Sequence, residues 1–182
     1  MLYTGKGDNG KTGTFGTKEK LSKSSSITEA LGSLDEANSY IGICKALMCE
    51  KEPKIQDLKL ADIIERVQNN LFIVQAQVAG ADKKIPDGEV KILEEIIGNI
   101  EKELPPIKSF LIPGAHELSA HCDFARTLVR RAERRVVSVS EEHPAKIDPY
   151  TLSYLNRLSS LFYAFARFTA SKFGNGENAP TY

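Results

Sequence analysis

Apolar residues recur at intervals of three and four over most of this chain, the period of a helix with one buried face. Leu31, Leu34, Ala37, Ile41, Cys44 and Met48 form one such series, and Leu60, Ile64, Val67, Leu71, Val74 and Val78 form a second. Val90, Leu93, Ile97, Ile100 and Leu104 make a shorter third, opening after Pro86-Asp87 and closing before Pro105-Pro106, because proline is tolerated at a helix start and not inside one. A fourth follows Pro113-Gly114 and runs through Leu118, Ala125, Val129, Ala132 and Val136. The fifth begins at Asp148-Pro149, a cap and a first-turn residue. It continues through Leu155, Leu158, Phe162, Phe165 and Thr169 and stops before Gly174-Asn175-Gly176. No stretch reads convincingly as a strand. The pattern predicts an all-α fold, an up-and-down five-helix bundle with short connections.

Both ends fall outside the pattern. The first two dozen residues hold Gly5, Gly7, Gly10, Gly13 and Gly16 among Lys, Thr and Ser, which makes a glycine-rich N-terminal loop segment and no core element. Residues 175–182 are polar, and are expected to be a flexible tail. A length of 182 residues suits one domain, residues 1–182, with 1–26 as an arm.

Composition removes several classes of function. Lys plus Arg and Asp plus Glu number 24 each, so general attraction to nucleic acid or to a membrane surface is not expected and anion binding must be local. Mean hydropathy is -0.27, and no apolar run approaches the ~20 residues of a membrane span. The N-terminus Met1-Leu2-Tyr3-Thr4-Gly5-Lys6 lacks the apolar segment of a secretory signal. Cys44, Cys49 and Cys122 are odd in number and lack metal-ligand spacing, so they read as free thiols in a reducing cytoplasm.

Local anion chemistry has two candidate sources. The stretch from Phe124 to Arg135 carries Arg126, Arg130, Arg131, Arg134 and Arg135 with Glu133. At ~100° per residue, Arg126, Arg130 and Glu133 share one stripe beside the apolar one, while Arg131 and Arg135 fall away and read as solvated. Guanidinium groups at a packed surface need an anion, either a carboxylate or a ligand's phosphates. The second source is Gly5-Lys6-Gly7-Asp8-Asn9-Gly10-Lys11-Thr12, which satisfies the phosphate-loop pattern G-x-x-x-x-G-K-S/T. That pattern works between a buried strand and a helix that starts at the Lys-Thr. Too few residues precede it here, and Gly13-Thr14-Phe15-Gly16 is a poor helix start. A true phosphate-loop fold is therefore not expected. Glycine-rich backbone with Lys and Thr can still wrap a polyphosphate, and a disordered cationic arm is the alternative.

Other motifs weaken on inspection. His116 and His121 stand five apart, which sets their rings roughly 140° apart around a helix. No histidine follows a glutamate by three positions, as a di-iron carboxylate bundle requires. No protein-ligated metal is expected. In Tyr154-Leu155-Asn156-Arg157-Leu158-Ser159-Ser160, Asn156 taken alone reads as a satisfied bundle residue and Arg157 as a surface charge.

In combination the blocks say more. Tyr3 to Thr12, Leu34-Asp35-Glu36-Ala37-Asn38-Ser39-Tyr40-Ile41-Gly42, Phe110-Leu111-Ile112-Pro113-Gly114, Ala125 to Arg134, and Tyr154-Leu155-Asn156-Arg157-Leu158-Ser159 together resemble the PduO-type ATP:cob(I)alamin adenosyltransferases. That resemblance implies a homotrimer of five-helix bundles with an active site between adjacent subunits. ATP would lie between the N-terminal arm of one subunit and the arginine helix of the next. By the same resemblance Thr4, Gly5, Lys6, Gly7, Thr12, Gly13 and Lys23 surround the triphosphate, and Arg130, Glu133, Arg134 and Asn156 contact ATP from the helices. Arg126 and Asp35 match a salt-bridged pair across the subunit boundary. Phe110 matches an aromatic residue beneath the corrin ring. Arg126, Arg130 and Asp35 are thus the candidates for catalysis.

The implied reaction is attack by the cobalt of cob(I)alamin on C5′ of ATP, with triphosphate departing. Cobalt supplies the nucleophile, so the protein needs no catalytic Ser, Cys or His. ATP and cob(I)alamin are substrates and Mg²⁺ accompanies the ATP. A reductase and a cobalamin-dependent acceptor enzyme are the partners such a reaction implies. Two positions depart from the family pattern: Ala115 replaces a second glycine after Pro113-Gly114, and Ser160 replaces an aspartate after Asn156-Arg157-Leu158-Ser159. The rival reading is a non-catalytic carrier that binds nucleotide or cobalamin.

Overall fold

The computed structural model describes residues 2–15, 20–144, 146–174, 176 and 178–182. Gly16, part of the expected arm, and Asn175, part of the expected tail, lie outside them. The arm contains two short strands, β1 (Lys11–Gly13) and β2 (Lys20–Ser22), paired antiparallel. Ser25 then sits in extended backbone and its hydroxyl accepts from the Thr28 amide at 3.4 Å. This satisfies one of the amides a helix start leaves open, and α1 (Ser26–Lys51) begins there. A second hairpin, β3 (Lys54–Ile55) with β4 (Leu58–Lys59), turns the chain into α2 (Leu60–Ala79). After it come α3 (Glu89–Glu103), α4 (Glu117–Glu142) and α5 (Pro149–Phe173).

All five predicted helices are present, and the α5 start is the predicted one. Asp148 caps it, accepting from the Tyr150 amide at 2.8 Å, with Pro149 in the first turn. Two details differ from the sequence reading. The two hairpins are strands too short to show an alternating pattern. The α3–α4 connection, residues 104–116, is not short, and it walls the cleft described below.

Side-chain pairs fix the helix directions. Lys45 and Glu65 join antiparallel α1 and α2 at 2.7 Å. Tyr40 and His121 join antiparallel α1 and α4 at 2.8 Å, and Asn156 and Glu133 join antiparallel α4 and α5 at 2.9 Å. Arg157–Glu94 at 2.9 Å and Lys172–Glu103 at 3.2 Å hold α3 parallel to α5. The helices therefore run up, down, up, down, up in chain order and pack in the spatial order α2, α1, α4, α5, α3. The core centres on α5, where Phe162, Phe165 and Phe168 are fully buried and the first two meet edge to face at 5.8 Å. An element apolar on nearly every side has to be covered on nearly every side.

A buried polar cluster closes the barrel of helices. Glu89, at the start of α3, accepts from Arg66 Nε on α2 at 3.0 Å and from Asn70 Nδ2 at 2.7 Å, and Asn70 Nδ2 also donates to the Tyr154 hydroxyl on α5 at 3.2 Å. The Arg66 guanidinium holds the Glu89 carboxyl below the usual carboxylate range, against the opposing effect of burial. Burial pushes the Tyr154 phenol up. The sequence reading missed this cluster. Its one trace was Asn70 falling, at helical spacing, on the apolar stripe of Val67, Leu71 and Val74.

Gly174, at the end of α5, is close-packed against backbone. A Cβ there would lie 2.7 Å from the Ala170 carbonyl oxygen and 2.9 Å from that of Ala115. Gly174→Ala is expected to cost about 1–3 kcal/mol through forced backbone shifts. Gly98→Ala, inside α3 with open space around it, is expected to add about 0.5–1 kcal/mol. Urea midpoints of the two variants moving in the same direction would contradict this.

Candidate active site

On α4 the apolar series faces the core, with Leu118, Ala125, Val129, Ala132 and Val136 all buried. The neighbouring stripe of Arg126, Arg130 and Glu133 runs along the seam with α5. Arg126 Nε bonds Asp123 Oδ1 at 3.2 Å, and its guanidinium lies 6.0 Å from the centre of the Tyr163 ring. Glu133 Oε1 accepts from Asn156 Nδ2 at 2.9 Å. Arg134 Nη1 donates to the Arg130 carbonyl at 3.0 Å. Arg131 and Arg135 are not merely solvated as the helical wheel implied. They lean toward α1, Arg131 paired with Glu36 and Arg135 with Glu29 at 3.9 Å.

Arg126 and Arg130 open into a cleft of about 840 Å³ between α5, the end of α3 and the α3–α4 connection. Ile97, Ile100, Leu104 and Ala164 supply apolar surface, and Ser160 also lines it. Phe110 stands on its wall 80% exposed. That exposure excludes ordinary core packing for this ring. A concave site with an apolar lining and a few guanidinium groups suits a large, mainly apolar ligand carrying negative charge, or two ligands that share those properties between them.

The phosphate-loop-like segment is built differently from its namesake. Asp8 and Gly10 amides donate to the Gly5 and Gly7 carbonyls at 3.3 and 3.1 Å, which folds the segment into successive turns with Gly5 and Gly10 at positive φ. Lys11 and Thr12 lie in β1 and start no helix. The Thr4 hydroxyl accepts from the Lys6 amide at 3.4 Å, and that of Thr12 donates to the Gly13 carbonyl at 3.5 Å. The Lys23 ammonium hangs over Gly7, 3.0 Å from where a Cβ would stand, and the Lys23 amide donates to the Gly10 carbonyl at 2.9 Å. Thr4, Gly5, Lys6 and Gly7 thus lie in the turns leading to β1, Thr12 and Gly13 in β1 and Lys23 just after β2, with Lys23 reaching back over Gly7.

This hairpin and the cleft belong to opposite ends of the molecule. The hairpin leads into the start of α1, which meets the end of α4 where Ser26 bonds Glu142. Phe110 precedes the start of α4. Asp35 is exposed on α1, and within this one chain Arg126 pairs with Asp123.

The histidines and cysteines have structural settings. His116 caps α4, its Nδ1 accepting from the Leu118 amide at 3.1 Å, a cap that sequence rules favouring Ser, Thr, Asp and Asn do not pick out. Cys44 and Cys122 are buried between α1 and α4, and Cys49 is exposed. The neighbouring Cys44 and burial push the Cys122 thiol up, so it stays protonated and unreactive. Among the described residues, no helix is long and apolar enough to cross a membrane.

The fold and cleft define a helical-bundle protein with a guanidinium-lined site for a bulky ligand. Comparison narrows that class: the family described as Cobalamin adenosyltransferase matches residues 2–169, and the chain belongs to it. The corrinoid adenosyltransferase of Bacillus subtilis is 36% identical over 180 residues, covering 97% of this chain and 90% of that protein. The corrinoid adenosyltransferase PduO of Citrobacter freundii is 36% identical over 173 residues, 91% of this chain, but this chain spans only 49% of its length. A variant PduO-type ATP:corrinoid adenosyltransferase from Lactobacillus reuteri, complexed with cobalamin and ATP, superposes with a TM-score of 0.87 at 30% identity, covering 99% of this chain and 96% of that one.

Proposed function

We propose that this chain transfers the 5′-deoxyadenosyl group of ATP to the cobalt of cob(I)alamin, giving adenosylcobalamin and triphosphate. The observation that carries the reading is the meeting of Arg126, Arg130 and Phe110 on one cleft, within a chain that belongs to the cobalamin adenosyltransferase family.

The protein's part is placement and charge. Arg130, Glu133, Arg134 and Asn156 line the α4–α5 seam and hold ATP from the helix side. The Glu133–Asn156 bond fixes both side chains before the nucleotide arrives. Thr4, Gly5, Lys6, Gly7, Thr12, Gly13 and Lys23 take the triphosphate with turn amides, hydroxyls and ammonium groups. Two reactants held in line gain a large effective molarity, and fixed cations stabilise a leaving group whose negative charge concentrates. Phe110 presents an exposed apolar ring to the corrin and excludes water from it. Mg²⁺ would come with the ATP and neutralise part of the charge of the departing triphosphate, while the hydroxyls, amides and ammonium groups of the N-terminal segment would hold the phosphates.

Residues 1–26 act as the ATP-binding arm of the single domain, and residues 175–182 as its tail. Because arm and cleft lie at opposite ends of one chain, the complete site uses the arm of one subunit and the cleft of the next. Asp35, exposed on α1, then reaches Arg126 of the adjacent copy, and the assembly is a homotrimer. The reaction belongs in the cytoplasm, with a reductase delivering cob(I)alamin and a cobalamin-dependent enzyme accepting the product.

The test is to mix the protein with ATP, Mg²⁺ and chemically reduced cobalamin. The expected result is the spectrum of adenosylcobalamin with release of one triphosphate per corrinoid. Binding of both substrates without triphosphate release would show a carrier instead.

A further inference from the structure

Arg126 is more enclosed than Arg130, its neighbour on the α4 side of the cleft, and a long side chain of this kind has many rotamers to lose before it can serve a site. Two neighbours restrict it. Asp123, one turn earlier on α4 and 17% exposed, takes the Nε edge of the guanidinium at 3.2 Å. Tyr163 on α5 offers its ring face at 6.0 Å, within the range where a cation is attracted to an aromatic face. Among the described residues the Nη edge of Arg126 carries no hydrogen bond, so it is the edge left for a second anion. All three side chains line the cleft, and Asp123 is the one carboxylate α4 and α5 bring to it among the described residues.

We propose that Asp123 is a positioning residue for the adenosyl transfer. It touches neither substrate and acts through Arg126, holding the Nε edge while the ring of Tyr163 limits rotation, so that the Nη edge is presented ready-oriented at the site. An exposed pair at this spacing on a helix contributes little to stability. The consequence of this partly buried one lies in geometry, because small misplacements of a site group cost much more in rate than in folding. The inference rests on the reaction proposed above.

The experiment compares the full chain with Asp123→Asn, Asp123→Glu, Arg126→Ala and the Asp123→Asn/Arg126→Ala double variant, reading kcat, KM for ATP and for corrinoid, and the melting temperature. Asp123→Asn is expected to lower kcat about tenfold, with each KM within about threefold and the melting temperature nearly unchanged. Asp123→Glu recovers most of the loss, since a carboxylate again reaches Nε. In the Arg126→Ala background, Asp123→Asn costs nothing further, the signature of a residue that works only through its neighbour. Unchanged kcat in Asp123→Asn, an equal loss in Asp123→Glu, a fall in melting temperature that accounts for the lost activity, or additive losses in the double variant would each overturn the proposal. If the unsubstituted chain forms no adenosylated corrinoid, it is the reaction that fails; if it does and Asp123→Asn matches it, only the role of Asp123 fails.

Discussion

Arg130→Ala lowers kcat by about 10²–10³-fold while the protein melts where the parent does. Arg130 is exposed on α4 at the cleft, and among the described residues its guanidinium makes no hydrogen bond or ion pair within the chain. Removing it strands no buried partner, so the folding cost is that of a surface substitution, within about 0.5 kcal/mol. Its cost to the reaction is of another order, because a fixed cation aimed at developing charge contributes several kcal/mol to the transition state. Arg130→Lys separates the two parts of that contribution. It keeps the charge but loses the planar fork that grips two phosphate oxygens at once, and is expected to fall between parent and alanine. Steady-state kinetics with ATP and reduced cobalamin, alongside thermal melts, give both numbers. Turnover of Arg130→Ala within threefold of the parent would remove this residue from the site.

Arg66→Ala has the largest expected effect on stability, about 2–3 kcal/mol, and it carries a pH signature. The Glu89 carboxylate is nearly enclosed, 6% exposed, while Arg66 is 52% exposed. Removing Arg66 therefore leaves a buried charge without its counter-ion, the costly way to break such a pair. The cost lies below that of breaking a fully enclosed pair because half of Arg66 already faces water. In the parent, Glu89 has a lowered carboxyl pKa in the folded state, against about 4.3 unfolded. Its contribution is complete above the unfolded value and disappears as pH falls through the lower folded one. Stability of the parent should thus decline below about pH 4.3. In Arg66→Ala the main cause of the lowering is gone and burial, which raises the carboxyl, remains. The decline on acidification should then flatten between pH 5 and 3. Urea midpoints across that range decide it; a parallel loss at every pH would mean that Arg66 acts through packing alone.

Much of the fold was legible because helix periodicity is a local property. The series Leu60 to Val78 and Val90 to Leu104 and the pair Asp148-Pro149 each name a helix from within their own segment. The hairpins were not legible, since β1 and β3 are too short for two-residue alternation to stand out. The arginine stripe was half legible. A helical wheel separates Arg126, Arg130 and Glu133 from Arg131 and Arg135, but it contains no neighbours. It could not tell that Glu36 and Glu29 of α1 wait beside the second pair, or that Asp123 and Tyr163 flank Arg126.

Sequence alone determined the number, order and buried faces of the helices, because burying an apolar stripe at the helical period leaves few other choices. It also supplied the cationic and glycine-rich segments from which a nucleotide site can be made. Tertiary structure decided which of those groups share a cleft and which stand at opposite ends of the bundle. Glu89 and Arg66 are separated along the chain by most of α2 and a loop, and the carboxylate comes under the control of its guanidinium only when α3 folds back. The direction in which a helix returns is set by packing of the whole core around α5. No local pattern encodes that choice.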